Sequence, residues 1–447
     1  MKTRSLARKD ATQAQSRTRS NRVPIRHGRL GHTHTLASIA RIAGALVLVI
    51  VVSSSSVTAL ALWNSLSSMQ PVVHLATLPR IAHAVPVGAE APGVGEIEGG
   101  VNLLLTGSDS RTGQAGFQTR QELVGSSGAG NNDVTMVLHI SQDHSSATVV
   151  SIPRDLMVAV PACPRPKGGT TLATSRAMFN STYSRGGLSC VVLAAEKLLG
   201  IDITYAAEIS FDGVVALSNA VGGVTVCLAT ALRDPYVGLN LAAGNPTLQG
   251  AQALAFVRSR HGVGDGSDLG RISNQQLFMS ALLRKLTSAG VLSNPITLFT
   301  IANVALKNMR LSDTLANPST MVSIALSLKS VRLDRVVFLQ YPSTGDPTES
   351  GRVIPEPVGA SLLARALAAD KPVVLTGAFG RAAVSGSAPV AAAVTPVASS
   401  TASSVAPSAA AGAVANATPA PIPTIDVSLP KSVTGQTAAQ QTCTKGN

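Results

Sequence analysis

Charged side chains stand at the ends of several predicted strands, where they could bind a phosphate group together with a metal ion. Asp109 follows one apolar, strand-like run, Asp133 precedes a second, and Arg154 follows a third. Loops at strand ends are where open α/β sheets place their ligands. We therefore treat these three residues as members of one candidate site.

Arginine is concentrated in the same part of the chain. Arg258 and Arg260 are two residues apart on a predicted strand, so both side chains should point to one face. Arg271 and Gln275 are four residues apart on a predicted helix and share a face of it. Because guanidinium groups match phosphate oxygens with two parallel bonds, these arginines together with Arg154 predict an anion site.

Asp109 and Asp133 supply hard oxygen ligands of the kind that Mg²⁺ prefers. Two carboxylates with substrate phosphates and water commonly hold Mg²⁺, and Mn²⁺ accepts the same ligands. Both aspartates are also common turn residues, and this simpler interpretation stays open. Equally simple interpretations stay open for Asp268 as a helix N-cap, Asp155 as the partner of an arginine, and Arg111 as a solvated loop residue.

The sequence signatures of several enzyme classes are absent. The chain has no G-x-S-x-G, Walker A, H-E-x-x-H, EF-hand or C-x-x-C pattern. Its histidines between residues 97 and 376 are His139, His144 and His261, too scattered for a multi-histidine metal site. Aromatic residues make up 3% of the chain, which argues against a base-stacking platform despite the net charge of +13. We expect no nucleic-acid partner.

The N-terminal part of the chain predicts a membrane anchor. Residues 1–41 form a basic arm, and residues 42–63 are uncharged and about 33 Å long as a helix, enough to cross a bilayer. The positive flank places the N-terminus in the cytoplasm and the rest of the chain outside the cell membrane, in a single pass. A cleavable signal peptide ending near Ala84 and nucleic-acid binding by the arm are the competing interpretations.

The rest of the chain divides by composition. Residues 64–96 predict an extracellular linker, and residues 97–376 are the segment that can bury a sizeable core. Residues 377–424, rich in Ala, Pro and Ser, predict a flexible linker, and a short C-terminal segment, 425–447, follows.

Strand and helix patterns alternate through residues 97–376. Apolar β-branched runs predict strands at 101–105, 134–140, 147–152, 224–228, 253–260 and 336–340. Apolar periodicity predicts helices at 190–199, 269–286, 296–305 and 321–328. This order predicts an α/β fold, an α-β-α sandwich in which helices flank a mixed central sheet.

Two of the four cysteines are predicted to form a disulfide, Cys163 with Cys190. A segment rich in Gly, Ser and Thr separates them, and disulfides persist outside the membrane. Cys227 is predicted to be a buried strand thiol, and Cys443 is too far along the tail to place.

Six motifs, in order, resemble the LytR-CpsA-Psr family in an actinobacterial form. They are NLLLTGSDSR, NNDVTMVLHIS, VVSIPRD, GGVTVCL, LQGAQALAFVRSRH and GSDLGRISNQQ, within residues 101–286. The resemblance implies a membrane-anchored phosphotransferase with an extracellular catalytic domain. Such an enzyme moves a glycopolymer from a polyprenyl-pyrophosphate carrier to peptidoglycan, at a muramic acid 6-hydroxyl.

The resemblance also implies roles for the residues that match these motifs. The catalytic residues would be Asp109, Asp133, Arg154, Arg258, Arg260 and Arg271. The two aspartates would ligate Mg²⁺, and the arginines would bind the pyrophosphate with Gln275, with Arg111 nearby. The prenyl chain would run between the sheet and helices, where the apolar segments 191–199, 214–221 and 278–286 suit a tunnel.

The chain departs from the family pattern in three places, at Asn131-Asn132, at Asn274 and in a longer loop at 112–130. Asp155 is a candidate general base. Three other functions stay open: a polyprenyl-pyrophosphate phosphatase that uses water as the acceptor, a non-catalytic envelope regulator, and a lipid-binding protein. The phosphatase would use the same residues, so the products formed in the presence of an acceptor would separate it from a transferase.

Overall fold

A mixed sheet of seven strands forms the centre of the structure, a computed structural model that describes residues 70–76, 95–109, 114, 130–288, 290–386 and 426–447. The strands are β1 Val101–Ser108, β2 Asn132–Ile140, β3 Ala147–Ile152, β4 Met157–Val160, β5 Thr174–Met178, β6 Tyr205–Ile209, β7 Val224–Thr225, β8 Leu232–Asp234, β9 Leu239–Leu241, β10 Thr247–Leu248, β11 Met309–Leu311, β12 Val336–Gln340, β13 Ser343–Gly345, β14 Val353–Pro355, β15 Val373–Leu375, β16 Ala383–Ser385, β17 Val427–Leu429, β18 Gly435–Thr437 and β19 Thr442–Thr444. The helices are α1 Ser181–Leu199, α2 Phe211–Ala220, α3 Gly250–Arg258, α4 Asp268–Ser288, α5 Pro295–Asn308, α6 Pro318–Ser330 and α7 Pro357–Ala368.

The central sheet has the strand order β11-β6-β1-β2-β3-β12-β18. β1 is antiparallel to β2 and parallel to β6, and β3 is antiparallel to β2 and parallel to β12. The sheet is therefore mixed, as predicted, and the β2–β3 hairpin brings the ends of three consecutive strands to one region.

Helices cover both faces of this sheet because its central strands are apolar on both faces. Along β12, Val337 packs into one core cluster with residues of α1 and α7, while its neighbour Phe338 packs into a second. The second cluster contains Leu283 of α4, Leu306 of α5 and Ile324 of α6. Successive strand side chains point to opposite faces, so one strand contributes to both layers. The predicted α-β-α sandwich is confirmed.

Most of the predicted elements are present. The strands predicted at 147–152 and 336–340 are β3 and β12 with the same bounds, and those at 101–105 and 134–140 lie within β1 and β2. The four predicted helices lie within α1, α4, α5 and α6, and α1 ends before Gly200, whose φ of 75° suits glycine at a helix C-terminus. The strand predicted at 224–228 is reduced to β7.

The predicted strand at 253–260 is wrong, because residues 250–258 form helix α3. Its short apolar run fits either structure by pattern alone. Ala253 and Phe256, three residues apart, are both fully buried on one helical face. That face packs in the third core cluster, which includes Phe278 of α4. This packing favours a helix over a strand for these residues.

The folded part extends further towards the C-terminus than its predicted end at residue 376. β16 lies within residues 377–386, which were predicted to be linker, and pairs with β19. The segment predicted as separate, 425–447, is part of the fold, since β18 joins the central sheet beside β12 and β17 pairs with β15. Residues 387–425 and the basic arm fall outside the described residues.

Two disulfides are present. Cys163–Cys190 is formed as predicted. Cys227 is not a free thiol: it is bonded to Cys443, 216 residues further along the chain. The prediction failed because sequence spacing does not show that the C-terminal segment returns to the side of the domain that carries Cys227.

In the part of the chain that the structure describes, no helix is both long and apolar enough to cross a membrane. The predicted anchor at 42–63 lies outside the described residues.

We expect Leu429→Ala to destabilise the protein, because Leu429 of β17 is 1% exposed in the core beside α1 and α7. Truncating a buried leucine lowers the free energy of unfolding by about 2–5 kcal/mol. Urea unfolding measures the effect, and Ser428→Ala, at the exposed position next to it, is the control. If both variants unfold like the parent, the C-terminal segment does not contribute to the core.

Candidate active site

The two candidate metal-binding aspartates lie side by side at one end of the β1–β2 pair. Ser108 of β1 pairs with Asn132 of β2. Asp109 directly follows Ser108 and Asp133 directly follows Asn132, so both aspartates are next to this pair. The Asp109 amide donates to the Asn131 carbonyl at 3.1 Å, and its carboxylate accepts from the Asn131 amide at 2.7 Å. Both aspartates line the same cavity. The structure therefore brings the two aspartates to neighbouring positions of adjacent strands and to one cavity.

Two arginines from distant parts of the chain contact Asp133. Arg154, just beyond β3, donates from Nη1 to Asp133 Oδ1 at 3.0 Å. Arg271 of α4 donates from Nη2 to the Asp133 carbonyl at 2.7 Å, and its Nη1 lies 3.9 Å from Asp133 Oδ2. Burial alone would lower the pKa of Arg154, but Asp133 and Asp268 outweigh it and raise that pKa, so the group stays cationic.

The Asp268 carboxylate contacts both of these arginines. Asp268 was not predicted to be a site residue. Its Oδ1 lies 2.6 Å from Arg271 Nη2 and 3.4 Å from Arg154 Nε, and the residue is 7% exposed. Burial raises the pKa of Asp268, while the two arginines oppose that shift. Asp268 and Arg271 are three residues apart on one helix, a spacing that allows an ion pair and could have predicted this contact. Asp268 was instead interpreted as a helix N-cap.

Arg258 and Arg260 do not share a strand face, which corrects the prediction from their spacing. Arg258 is the last residue of α3, lines the cavity and places its guanidinium carbon 4.2 Å from the centre of the Phe211 ring. Arg260 is half-buried in the loop that follows the helix. Gln275 of α4 lines the same cavity and donates to the Val257 carbonyl at 2.9 Å.

Several buried guanidinium groups retain unused hydrogen-bonding capacity. Within the described residues, Nε of Arg154, Arg260 and Arg271 makes no hydrogen bond, although the Asp268 and Asp155 carboxylates lie 3.4 Å and 3.5 Å from Arg154 Nε. The carboxylates of this cluster therefore balance part of its positive charge but leave these donors without a well-aligned partner. An oxyanion such as a phosphate is the chemical match for several guanidinium groups.

Asp155 is the partner of an arginine, which was its simpler interpretation. Its Oδ1 accepts from Arg352 Nη1 at 2.7 Å, and its Oδ2 lies 3.5 Å from Arg154 Nε. This pairing argues against Asp155 as the general base. Arg352 was not predicted from the sequence, since it lies 197 residues from its partner. Arg111 and most of the loop 112–130 lie outside the described residues.

A cavity of about 500 Å³ extends from the aspartates between the helices. Its charged and amide-bearing side chains are Asp109, Asp133, Arg258, Arg271 and Gln275. Most of the remaining lining is apolar. It includes residues of α2, α4, α5 and α6 and Val221 just after α2, namely Val214, Leu217, Val221, Phe278, Met279, Leu282, Leu286, Leu298, Ile301 and Ala325.

Two of the three apolar segments that were predicted to suit a tunnel line this cavity. Residues 214–221 and 278–286 both contribute to the cavity. The third segment, 191–199, does not, because its side chains pack with α7 on the opposite face of the sheet. A buried sheet needs apolar helices on both of its faces. Composition alone therefore does not show on which face of the sheet α1 packs.

One buried carboxylate organises the loop that carries Arg260. Asp234 Oδ2 accepts from Ser259 Oγ at 2.8 Å, from the Arg260 amide at 3.0 Å and from the Gly262 amide at 3.1 Å. A Cβ on Gly262 would stand 2.6 Å from the Arg233 carbonyl oxygen, so only glycine permits this close approach. Burial by itself would raise the pKa of Asp234, but these hydrogen bonds outweigh it and lower the pKa.

A profile of the LytR_cpsA_psr family matches residues 80–357. The chain belongs to the LytR_cpsA_psr family. This confirms the resemblance seen in the six motifs, and it places Asp109, Asp133, Arg154, Arg258 and Arg271 all within the matched region.

Named relatives and a solved structure are similar to this LytR_cpsA_psr protein. Over 278 residues it is 32% identical to the cell wall biosynthesis protein LcpA of Corynebacterium glutamicum, covering 57% of this chain and 53% of LcpA. Over 194 residues it is 32% identical to the polyisoprenyl-teichoic acid–peptidoglycan teichoic acid transferase TagU of Bacillus mycoides, covering 43% of this chain and 55% of TagU. The LytR-Csp2A-Psr enzyme from Actinomyces oris is 25% identical, with coverage of 66% of this chain and 96% of that chain and a TM-score of 0.48. The chain thus spans about half the length of the two named relatives.

In this LytR_cpsA_psr protein, we expect Asp234→Asn to lower the free energy of unfolding. The side-chain amide of asparagine has one NH₂ group, which cannot accept the hydrogen bonds that Asp234 accepts. Losing hydrogen bonds to a charged acceptor costs roughly 1.5–3 kcal/mol. Urea unfolding at neutral pH measures this loss. Asp334→Asn, at an exposed position, is the control and should change stability by about 0–1 kcal/mol.

The effect of Asp234→Asn on stability should depend on pH. Because the pKa of Asp234 is lowered in the folded state, its stabilisation is complete above the ordinary value of 3.8 and is lost as the pH falls through the lower folded value. The difference in stability between the parent and Asp234→Asn should therefore shrink in acid. A difference that is constant down to the acid limit would contradict the assigned hydrogen bonds.

Proposed function

We propose that this protein is a phosphotransferase that moves a glycopolymer from a polyprenyl-pyrophosphate carrier to a peptidoglycan hydroxyl, that of the muramic acid 6-position. The carrying observation is a single cavity with charged side chains at one end and apolar side chains along most of the rest. A polyprenyl pyrophosphate has the matching division, an anionic head and a long hydrocarbon chain. TagU, whose name describes teichoic acid transfer to peptidoglycan, is a relative over part of its length.

The arginine cluster supplies the binding site for the pyrophosphate. Arg258 and Arg271 line the cavity directly, and Arg154 lies beside Asp133 at the same end. Arg260 adds positive charge from the following loop, and Gln275 adds an amide. Guanidinium groups held in a partly buried site interact with an oxyanion more strongly than they would in water.

The residues present fit a divalent cation of the Mg²⁺ type. Asp109 and Asp133 offer hard oxygen donors at one end of the cavity. Among the described residues, no group of three or more His, Cys, Asp or Glu side chains is arranged to hold a metal ion by itself, so substrate phosphates and water would complete the coordination. That is the usual arrangement for Mg²⁺, and Mn²⁺ would accept it too. When bound, the ion would neutralise phosphate charge.

The protein side chains orient the reaction. The arginines hold the pyrophosphate, and the apolar helices exclude water from the prenyl chain. The oxygen of the acceptor hydroxyl forms a bond to the sugar-side phosphorus, and the bond from that phosphorus to the bridging oxygen breaks. Prenyl phosphate leaves with the electron pair of the broken bond, and the hydroxyl proton is released. The arginines stabilise the negative charge that develops on the leaving group.

The proposed location follows from the substrate. A polyprenyl carrier is confined to a membrane, so an enzyme that uses it benefits from an anchor in the same bilayer. The basic arm at 1–41 and the apolar segment at 42–63 supply the sequence pattern for a single-pass anchor with the catalytic domain outside the cell.

The function is tested by narrowing the apolar part of the cavity. Ala325 of α6 lines it, and Ala325→Phe would fill part of the space that a long chain needs. We expect turnover of an undecaprenyl-linked substrate to fall roughly 10- to 100-fold, the equivalent of an overpacking cost of about 1–3 kcal/mol. Turnover of the geranyl-linked analogue should be retained, since a short chain does not need the whole cavity.

Ala251→Phe is the control, because Ala251 is exposed and does not line the cavity. Equal loss on the long and short substrates would contradict a prenyl-binding role. The products are analysed with and without a peptidoglycan acceptor. A phosphodiester to the acceptor supports the transferase, whereas release of free phosphorylated glycan in its presence supports the phosphatase.

We expect Asp133→Asn to abolish metal-dependent transfer while the domain stays folded. The change is nearly isosteric, but it removes one of two anionic ligands, and the partly exposed contact to Arg154 contributes about 1 kcal/mol or less to stability. Transfer is measured as a function of Mg²⁺ concentration, with a thermal melt to verify folding. Full activity in Asp133→Asn would instead favour the simpler interpretation as a turn residue.

A further inference from the structure

An exposed aromatic pair lies beside the cavity. Tyr236, in the short turn Pro235–Val237, is 80% exposed, and its ring centre lies 4.5 Å from that of His261. The other three tyrosines of the chain are buried or half-buried, Tyr183, Tyr205 and Tyr341. The two rings are tilted by 42° with respect to each other. In a chain this poor in aromatic residues, an exposed aromatic pair is a candidate ligand-binding surface.

The pair is held in place by the same carboxylate that organises the arginine loop. Asp234 Oδ1 accepts from the Tyr236 amide at 3.2 Å, while Oδ2 accepts from the amides that flank His261. One buried group therefore fixes the backbone at Tyr236 and on both sides of His261. A preorganised aromatic surface loses little conformational freedom on binding a ligand.

The pair also adjoins the charged end of the cavity. Val237, the residue after Tyr236, lines the cavity, and so does Arg258, three residues before His261. Because the prenyl chain would occupy the apolar cavity, the group on the other side of the pyrophosphate would lie outside it, as these exposed rings do. In the proposed substrate, that group is a sugar.

We propose that Tyr236 and His261 bind the first sugar ring attached to the pyrophosphate. This inference rests on the proposed function and extends it to the head of the substrate. A pyranose ring presents a face of C–H groups, which packs against the apolar face of an aromatic ring, while its hydroxyls pair with polar groups at the edge. The Tyr236 ring offers the face, and the His261 ring offers nitrogen atoms beside it.

The experiment compares two ligands that differ only in the sugar. Binding of farnesyl diphosphate and of farnesyl diphosphate linked to N-acetylglucosamine is measured by calorimetry with the full chain in detergent and Mg²⁺. We expect the sugar to strengthen binding to the parent protein. Tyr236→Ala should weaken binding of the sugar-bearing ligand by about 3- to 10-fold and leave binding of farnesyl diphosphate unchanged.

Two further variants make the result specific. Tyr236→Phe keeps the ring and should bind like the parent, and Leu172→Ala removes a different exposed side chain, 87% exposed, with no effect. The inference is overturned if the sugar adds nothing to binding by the parent, or if Tyr236→Ala weakens both ligands equally. It is also overturned if Tyr236→Phe is as weak as Tyr236→Ala. Failure of the parent to bind either ligand would instead refute the proposed function, and the inference with it.

Discussion

The burial of Arg271 is the constraint on which the site depends. This residue is 7% exposed and contacts both the Asp268 carboxylate and the Asp133 carbonyl. A buried charge that loses its partners is strongly destabilising, so helix α4 and the end of strand β2 must stay together. Asp133 and Arg271 both line the cavity, and apolar side chains make up most of the rest of its lining. The contact between them therefore fixes the position of two of its charged residues.

The C-terminal segment stabilises the same helix from the other side. Thr444 of β19 donates from Oγ1 to Asn274 Oδ1 at 2.7 Å, and Asn274 Nδ2 donates to the Phe256 carbonyl at 2.8 Å. These buried bonds connect the C-terminal segment to α4 and to α3, which carries Arg258. The Cys227–Cys443 disulfide ties the segment to the same region. Asn274, where the chain departs from the family pattern, therefore has a structural role here.

The arginines of the cluster differ in what holds them. Arg258 stacks on Phe211, and Arg154 pairs with aspartates. The loop that carries Arg260 is fixed through the backbone by Asp234. Guanidinium groups gathered in one region repel one another unless neighbouring groups offset their charge. Here acidic side chains and an aromatic ring meet that requirement, and each comes from a different element.

Local pattern in the sequence determined strands β1, β2, β3 and β12 of the central sheet, the long helix α4, the α-β-α layering and the residue types of the candidate site, but it did not reveal β6, β11 or β18. These features follow from apolar periodicity and from short motifs, which are properties of neighbouring residues. The secondary structure of residues 250–258, the partner of Cys227, the role of Asp268 and the pairing of Asp155 with Arg352 depended on the tertiary structure. Each of these results from packing or charge pairing with chain segments that the local pattern does not specify. A short apolar run becomes a helix only against a particular face, and a carboxylate becomes part of a network only when distant arginines are brought to it.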